Sequence, residues 1–108
     1  MLEHREAAAE ARFVHERDVA FEAHARRDRM FGRWAAHLMG MKGEAVEDYA
    51  RALMLTDVAQ AGDDGVLDRV LEDLAEHGVV GVRASEDRLR RKLERLHATA
   101  QSLLGAGG

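Results

Sequence analysis

Not one of the 108 residues is proline, so the helical patterns that fill this chain can be stopped or turned chiefly where a glycine stands. From Glu3 to Met39 only Gly32 interrupts a run of Ala, Glu, Arg and other strong helix formers, and Gly40 and Gly43 close it. Gly32 predicts a close helix contact rather than a bend, because a glycine inside a helix costs about 1 kcal/mol against alanine. A second helix is expected from Gly43 or Glu44 to about Ala61, with Val46, Tyr49, Ala50 and Leu53 at three-four spacing. Gly62-Asp63-Asp64-Gly65 reads as the next turn.

The third helix carries the plainest pattern. Val66, Leu67, Val70, Leu71 and Leu74 make one apolar stripe, and His77-Gly78 ends it. Val79, Val80 and Val82 favour a strand but have no partner strand, which predicts a packed connector. Ser85 is placed to cap a fourth helix with Glu86 and Asp87 in its first turn, and Leu89, Leu93, Leu96, Ala100 and Leu103 should face inward. Aromatic residues are only 5% of the chain, as in helical bundles, and the length suits one domain. Four apolar stripes with short links predict an all-α, four-helix bundle-like single domain.

The first helix is divided. Met30, Phe31, Trp34 and Leu38 form an apolar stripe, but the same face meets Arg27 and His24 upstream, so burial is expected to fade there. Before Arg29 the thin scatter of Phe13, Val14, Val19 and Phe21 makes no broad face. High helix propensity without such a face leaves two readings: a solvated helix laced by pairs such as Glu22 with Arg26, or a mobile arm, poorly ordered or loosely helical as far as Ala20, that orders on a partner.

Chemistry is excluded more readily than it is found. With no cysteine, disulfides and thiolate metal sites are out, and the chain suits a reducing cytosol. The formal charge of −4 offers no overall positive field for nucleic acid. No stretch approaches the roughly 20 apolar residues of a membrane span, so no membrane insertion is expected and the reading is of a cytoplasmic protein. His4, His15, His24 and His37 lack three-four spacing and predict no metal, although they make the segment's charge sensitive to pH near neutrality. The Asp63-Asp64 turn lacks the ligand spacing of a calcium loop. No nucleophile stands with a base and no phosphate loop is present, so neither an enzyme nor a cofactor is expected. Arg88, Arg91, Lys92 and Arg95 run along one flank of helix four and could grip phosphates, which leaves a small nucleotide- or ligand-binding helical module as the alternative.

Several short motifs, in order, resemble a known family. They are Phe13-Val14-His15-Glu16, Phe21, Ala25-Arg26-Arg27-Asp28-Arg29 and Gly32-x-Trp34-Ala35-Ala36. They continue through Asp57, Ala61-Gly62-Asp63-x-x-Val66, Ser85 and Leu89-Arg90-Arg91-Lys92-Leu93-Glu94. The whole is similar to the zeta subunits that inhibit the F-type ATP synthase of alpha-proteobacteria. The resemblance implies an inhibitory arm over residues 1–20, a four-helix body over 21–104 and a flexible tail over 105–108. It also implies a regulator, a monomer when free, that binds the catalytic α and β subunits beside the rotor γ subunit and sits peripheral to the inner membrane. Its arm would enter an α/β interface and block ATP hydrolysis.

On that reading the partner-binding residues are Arg5, Glu6, Ala9, Glu10, Arg12, Phe13, Val14, His15, Val19, Phe21, Arg26 and Arg27. Phe13 and Val14 would find apolar surface, and Arg5, Glu10 and Arg12 charged partners. The chain departs from the family at Ala7 and Ala9, where a lysine and a phenylalanine are expected, and at Ala20, where a basic residue is usual. A few extra residues stand between Val79 and Ser85.

Overall fold

The glycine-bounded stretches are helices. The computed structural model describes the backbone over residues 2–60 and 62–107, and side chains over 17–57, 62–81 and 83–105. Helix α1 spans Leu2–Leu38, α2 Glu44–Gln60, α3 Asp63–Glu76 and α4 Glu86–Gly107, with a 3-10 turn at Gly81–Ala84. Among the described residues there is no strand, and no helix is long and apolar enough to cross a membrane.

Helix α1 is the spine against which α2, α3 and α4 all pack. The core joins Phe31 and Ala35 of α1, Leu53 of α2, Val66, Leu67, Val70 and Leu74 of α3, and Leu89 and Leu93 of α4. Trp34, Leu38, Tyr49, Leu71 and Leu96 pack around it. Gly32 sits where α1 crosses α2: a Cβ there would lie 2.7 Å from the Cα of Ala50, so only glycine lets the two backbones approach. The close-contact reading of this glycine holds.

Local chemistry sets the ends of the elements. The α1–α2 link turns through Gly40 and Gly43, both at positive φ, 83° and 62°, a conformation open to glycine and strained for other residues. Ser85 caps α4, its Oγ accepting from the backbone N–H of Arg88 at 3.3 Å. Asp63 and Asp64 belong to the first turn of α3 rather than to a separate turn, where carboxylates suit the positive end of the helix. Val79 packs on the core as expected, but Val80, just before the 3-10 turn, is 75% exposed. Leu103 is half exposed rather than inward, one turn beyond Ala100, the last fully buried residue of α4.

Candidate partner-binding arm and its root

Residues 17–22 of α1 are all exposed, and burial begins at Ala23. Upstream of Ala23, therefore, α1 leaves the bundle as an arm. From Leu2 to that point it covers roughly 30 Å at 1.5 Å per residue, and the molecule as a whole is 63 Å long but only 26 × 23 Å across. The side chains of Arg5, Glu6, Ala9, Glu10, Arg12, Phe13, Val14 and His15 lie outside the described residues. Val19 and Phe21 present apolar surface to solvent, Phe21 at 61% exposure, and Arg26 is half-buried.

Arg27 stands apart from these. Its side chain is 2% exposed, and it belongs to the body rather than to an open partner-binding face. The expected fading of burial holds at His24, whose side chain is 43% exposed, but not at Arg27: the buried face of α1 continues through Asp28 and Arg27 to Ala23. A buried guanidinium is tolerable only with partners, and Arg27 has three carboxylates. It donates to Asp28 Oδ1 through Nε and Nη2 at 3.0 and 2.8 Å, to Asp57 Oδ2 at 3.4 Å and to Asp63 Oδ1 at 2.9 Å. One side chain thus ties α1 to the ends of α2 and α3.

Histidines complete the cluster. His24 Nε2 lies 3.5 Å from Asp63 and 3.8 Å from Asp57, an ion pair when the ring is protonated. Its ring meets that of His97 on α4 edge to face at 5.5 Å. Burial pushes the His97 imidazole below its usual range, aided by the positive charges of Arg27 and His24, and its Nδ1 is buried without a partner. Burial and a hydrogen bond with Asp57 push the Asp28 carboxyl up to about 8, against the attraction of Arg27. Asp63 goes the other way: partial burial opposes ionisation, but Arg27 and His24 together outweigh it and hold the carboxyl low. A cavity of about 410 Å³ opens over this floor, walled by Ala20, Phe21 and Ala25 at the foot of the arm.

Asp57 and Asp63 stand in family motifs, but nothing local in the sequence shows that they converge on Arg27. One signal is present: Asp28 precedes Phe31 by three and Asp57 follows Leu53 by four, which puts both on core-facing stripes. On α4, Arg88, Arg91 and Arg95 border one shallow depression together with Glu94. Lys92 is turned away from it, with its ammonium 5.7 Å from the centre of the Trp34 ring. Among the described residues no group of three or more potential ligands is placed to hold a metal ion.

Comparison with curated proteins finds no match. The family described as ATPase inhibitor subunit zeta, by contrast, matches residues 1–102, covering the arm, the Arg27 cluster and the bundle through the inward face of α4. With one continuous match over all but the last few residues, the chain belongs to the ATPase inhibitor subunit zeta family.

Proposed function

We propose that the protein restrains ATP hydrolysis by the F-type ATP synthase by inserting the amino-terminal part of α1 into a catalytic α/β interface beside the rotor γ subunit, while the bundle anchors outside. The observation that carries this reading is the abrupt change along α1, from exposed at residues 17–22 to buried from Ala23. A helix that continues past its own core has a face left for another protein. Family membership supplies the kind of partner. The contacts fall to Arg5, Glu6, Ala9, Glu10, Arg12, Phe13, Val14, His15, Val19, Phe21 and Arg26, and Arg27 holds the root in place. Ordering of the arm is offset on the enzyme by burial of Phe13 and Val14, so the arm is mobile in the free monomer and fixed in the complex. Bound, the protein is peripheral to the membrane on its cytoplasmic side. A photoreactive side chain at Ala9 should cross-link to the catalytic α or β subunits of the cognate enzyme. Capture by other subunits alone would contradict insertion at the catalytic interface.

The depression bordered by Arg88, Arg91 and Arg95 favours a second reading, a nucleotide-binding body. Glu94 on its wall opposes a polyphosphate, and among the described residues no aromatic ring lines it for base stacking. Titrating ATP and ADP into isotope-labelled protein separates the two, since localised shifts on α4 at physiological concentrations would promote the nucleotide site.

A further inference from the structure

We propose that the Arg27 cluster is a proton-operated latch: one proton shared by the buried carboxyls of Asp28 and Asp57, which meet on one nitrogen of Arg27, keeps the root of the arm seated on α2, and its loss loosens the arm. The latch is a property of the free chain and does not depend on which partner the arm meets.

The geometry supplies the parts. Asp28 is 1% exposed on α1 and Asp57 8% exposed on α2, and both carboxyls contact the same Nη2 of Arg27. That guanidinium is shared with Asp63 of α3 as well, so three carboxyls face one full positive charge. The remaining titratable groups on the cluster are His24 of α1, His97 of α4 and Glu94 of α4, which line a smaller pocket with Arg27 and Asp63. Burial and the nearby Arg27 disfavour the charged form of His97, and Glu94 adds negative potential. With the proton in place, the Asp28 carboxyl is neutral and can donate to Asp57. Without it, two buried anions share one guanidinium nitrogen in a site of low dielectric. Helices α1 and α2 then repel at the one point where the arm joins the body. The cavity walled by Phe21 and Ala25 gives water and the departing proton a route to the pair. Protonation of His24 acts in the same sense, adding a cation to Asp57 and Asp63, so acid tightens the root and alkali releases it.

The sign follows from proton linkage. Asp28 titrates near 8 when the root is closed and in the ordinary carboxylate range when it is open, so opening releases one proton between those limits. The opening equilibrium therefore rises with pH, by up to about tenfold per pH unit, and levels off above about 8. Amide hydrogen exchange on the full-length free chain, corrected for intrinsic rates, reads it directly. Amides of Ala23 to Asp28 should exchange faster than those of Val66 to Leu74 and lose protection from pH 6 to 8. Asp28→Asn, which keeps a donor for Asp57 and an acceptor for Arg27, should abolish the pH slope at those amides. Carbon-detected titration of the unmutated chain needs no variant and should find one of the two carboxyls titrating above pH 6. Both carboxyls titrating below pH 5 would overturn the latch, as would root amides as protected as those of α3, or an unchanged slope in Asp28→Asn.

Discussion

Arg27 shows how much one residue can hold. Removing its guanidinium, as in Arg27→Met, leaves Asp28 and Asp57 buried without their shared cation, and breaking a buried pair in this way costs about 3–5 kcal/mol. Urea unfolding should therefore find the variant close to the edge of folding, whereas a variant of the exposed pair Arg33 with Glu47 should unfold almost as the parent does. Gly32 makes the complementary point about space. Gly32→Ala gains about 1 kcal/mol of helix propensity, but its methyl would meet the backbone of Ala50, which cannot swing aside as a flexible side chain can. Overpacking of this kind costs about 1–3 kcal/mol, so a net loss of stability is expected in thermal unfolding. An unchanged or raised midpoint would mean that α1 and α2 do not cross this closely.

Among the elements, the first helix is divided along one continuous backbone. Its carboxyl half is bundle core, and its amino half, which runs on beyond that core, is the part proposed to meet a partner. Ala9 and Phe13 lie one turn apart on α1, so Ala9→Phe would place two aromatic side chains on one face of the arm. Burying a phenylalanine contributes about 1.5–3 kcal/mol, and part of that predicts roughly tenfold to hundredfold tighter inhibition in an ATPase titration. Poorer inhibition would show a partner pocket shaped for alanine. The helices themselves were legible because their signals are local: glycine breaks, a serine cap, and leucines repeating every three or four residues in α3 and α4. The root was not. Arg27 looks like the end of burial when only its neighbours are read, since two of the carboxylates that make its burial tolerable lie about 30 residues away, at Asp57 and Asp63. Ala35 and Ala36, fully buried, were equally silent, because alanine is as common on exposed helix faces as on closely packed ones.

For the whole molecule, shape and kinship point the same way. The molecule is 63 Å long, α1 runs through it as a spine, and the family match extends from the first residue of the arm into the last turns of α4. The bundle closes its own core without the arm: every buried residue lies between Ala23 and Ala100 among those described. Removal of the first 16 residues should therefore leave unfolding of the bundle almost unchanged while removing the proposed inhibitory element. Stability would then reside in the bundle and inhibition in the arm. Titrating the full-length protein and a chain lacking residues 1–16 against ATP hydrolysis by the cognate ATP synthase, with the helical content of both checked beforehand, separates the two. Saturable inhibition by the full chain and little or none by the truncated one is expected, and equal inhibition by a folded truncated chain would overturn the inhibitory role of the arm.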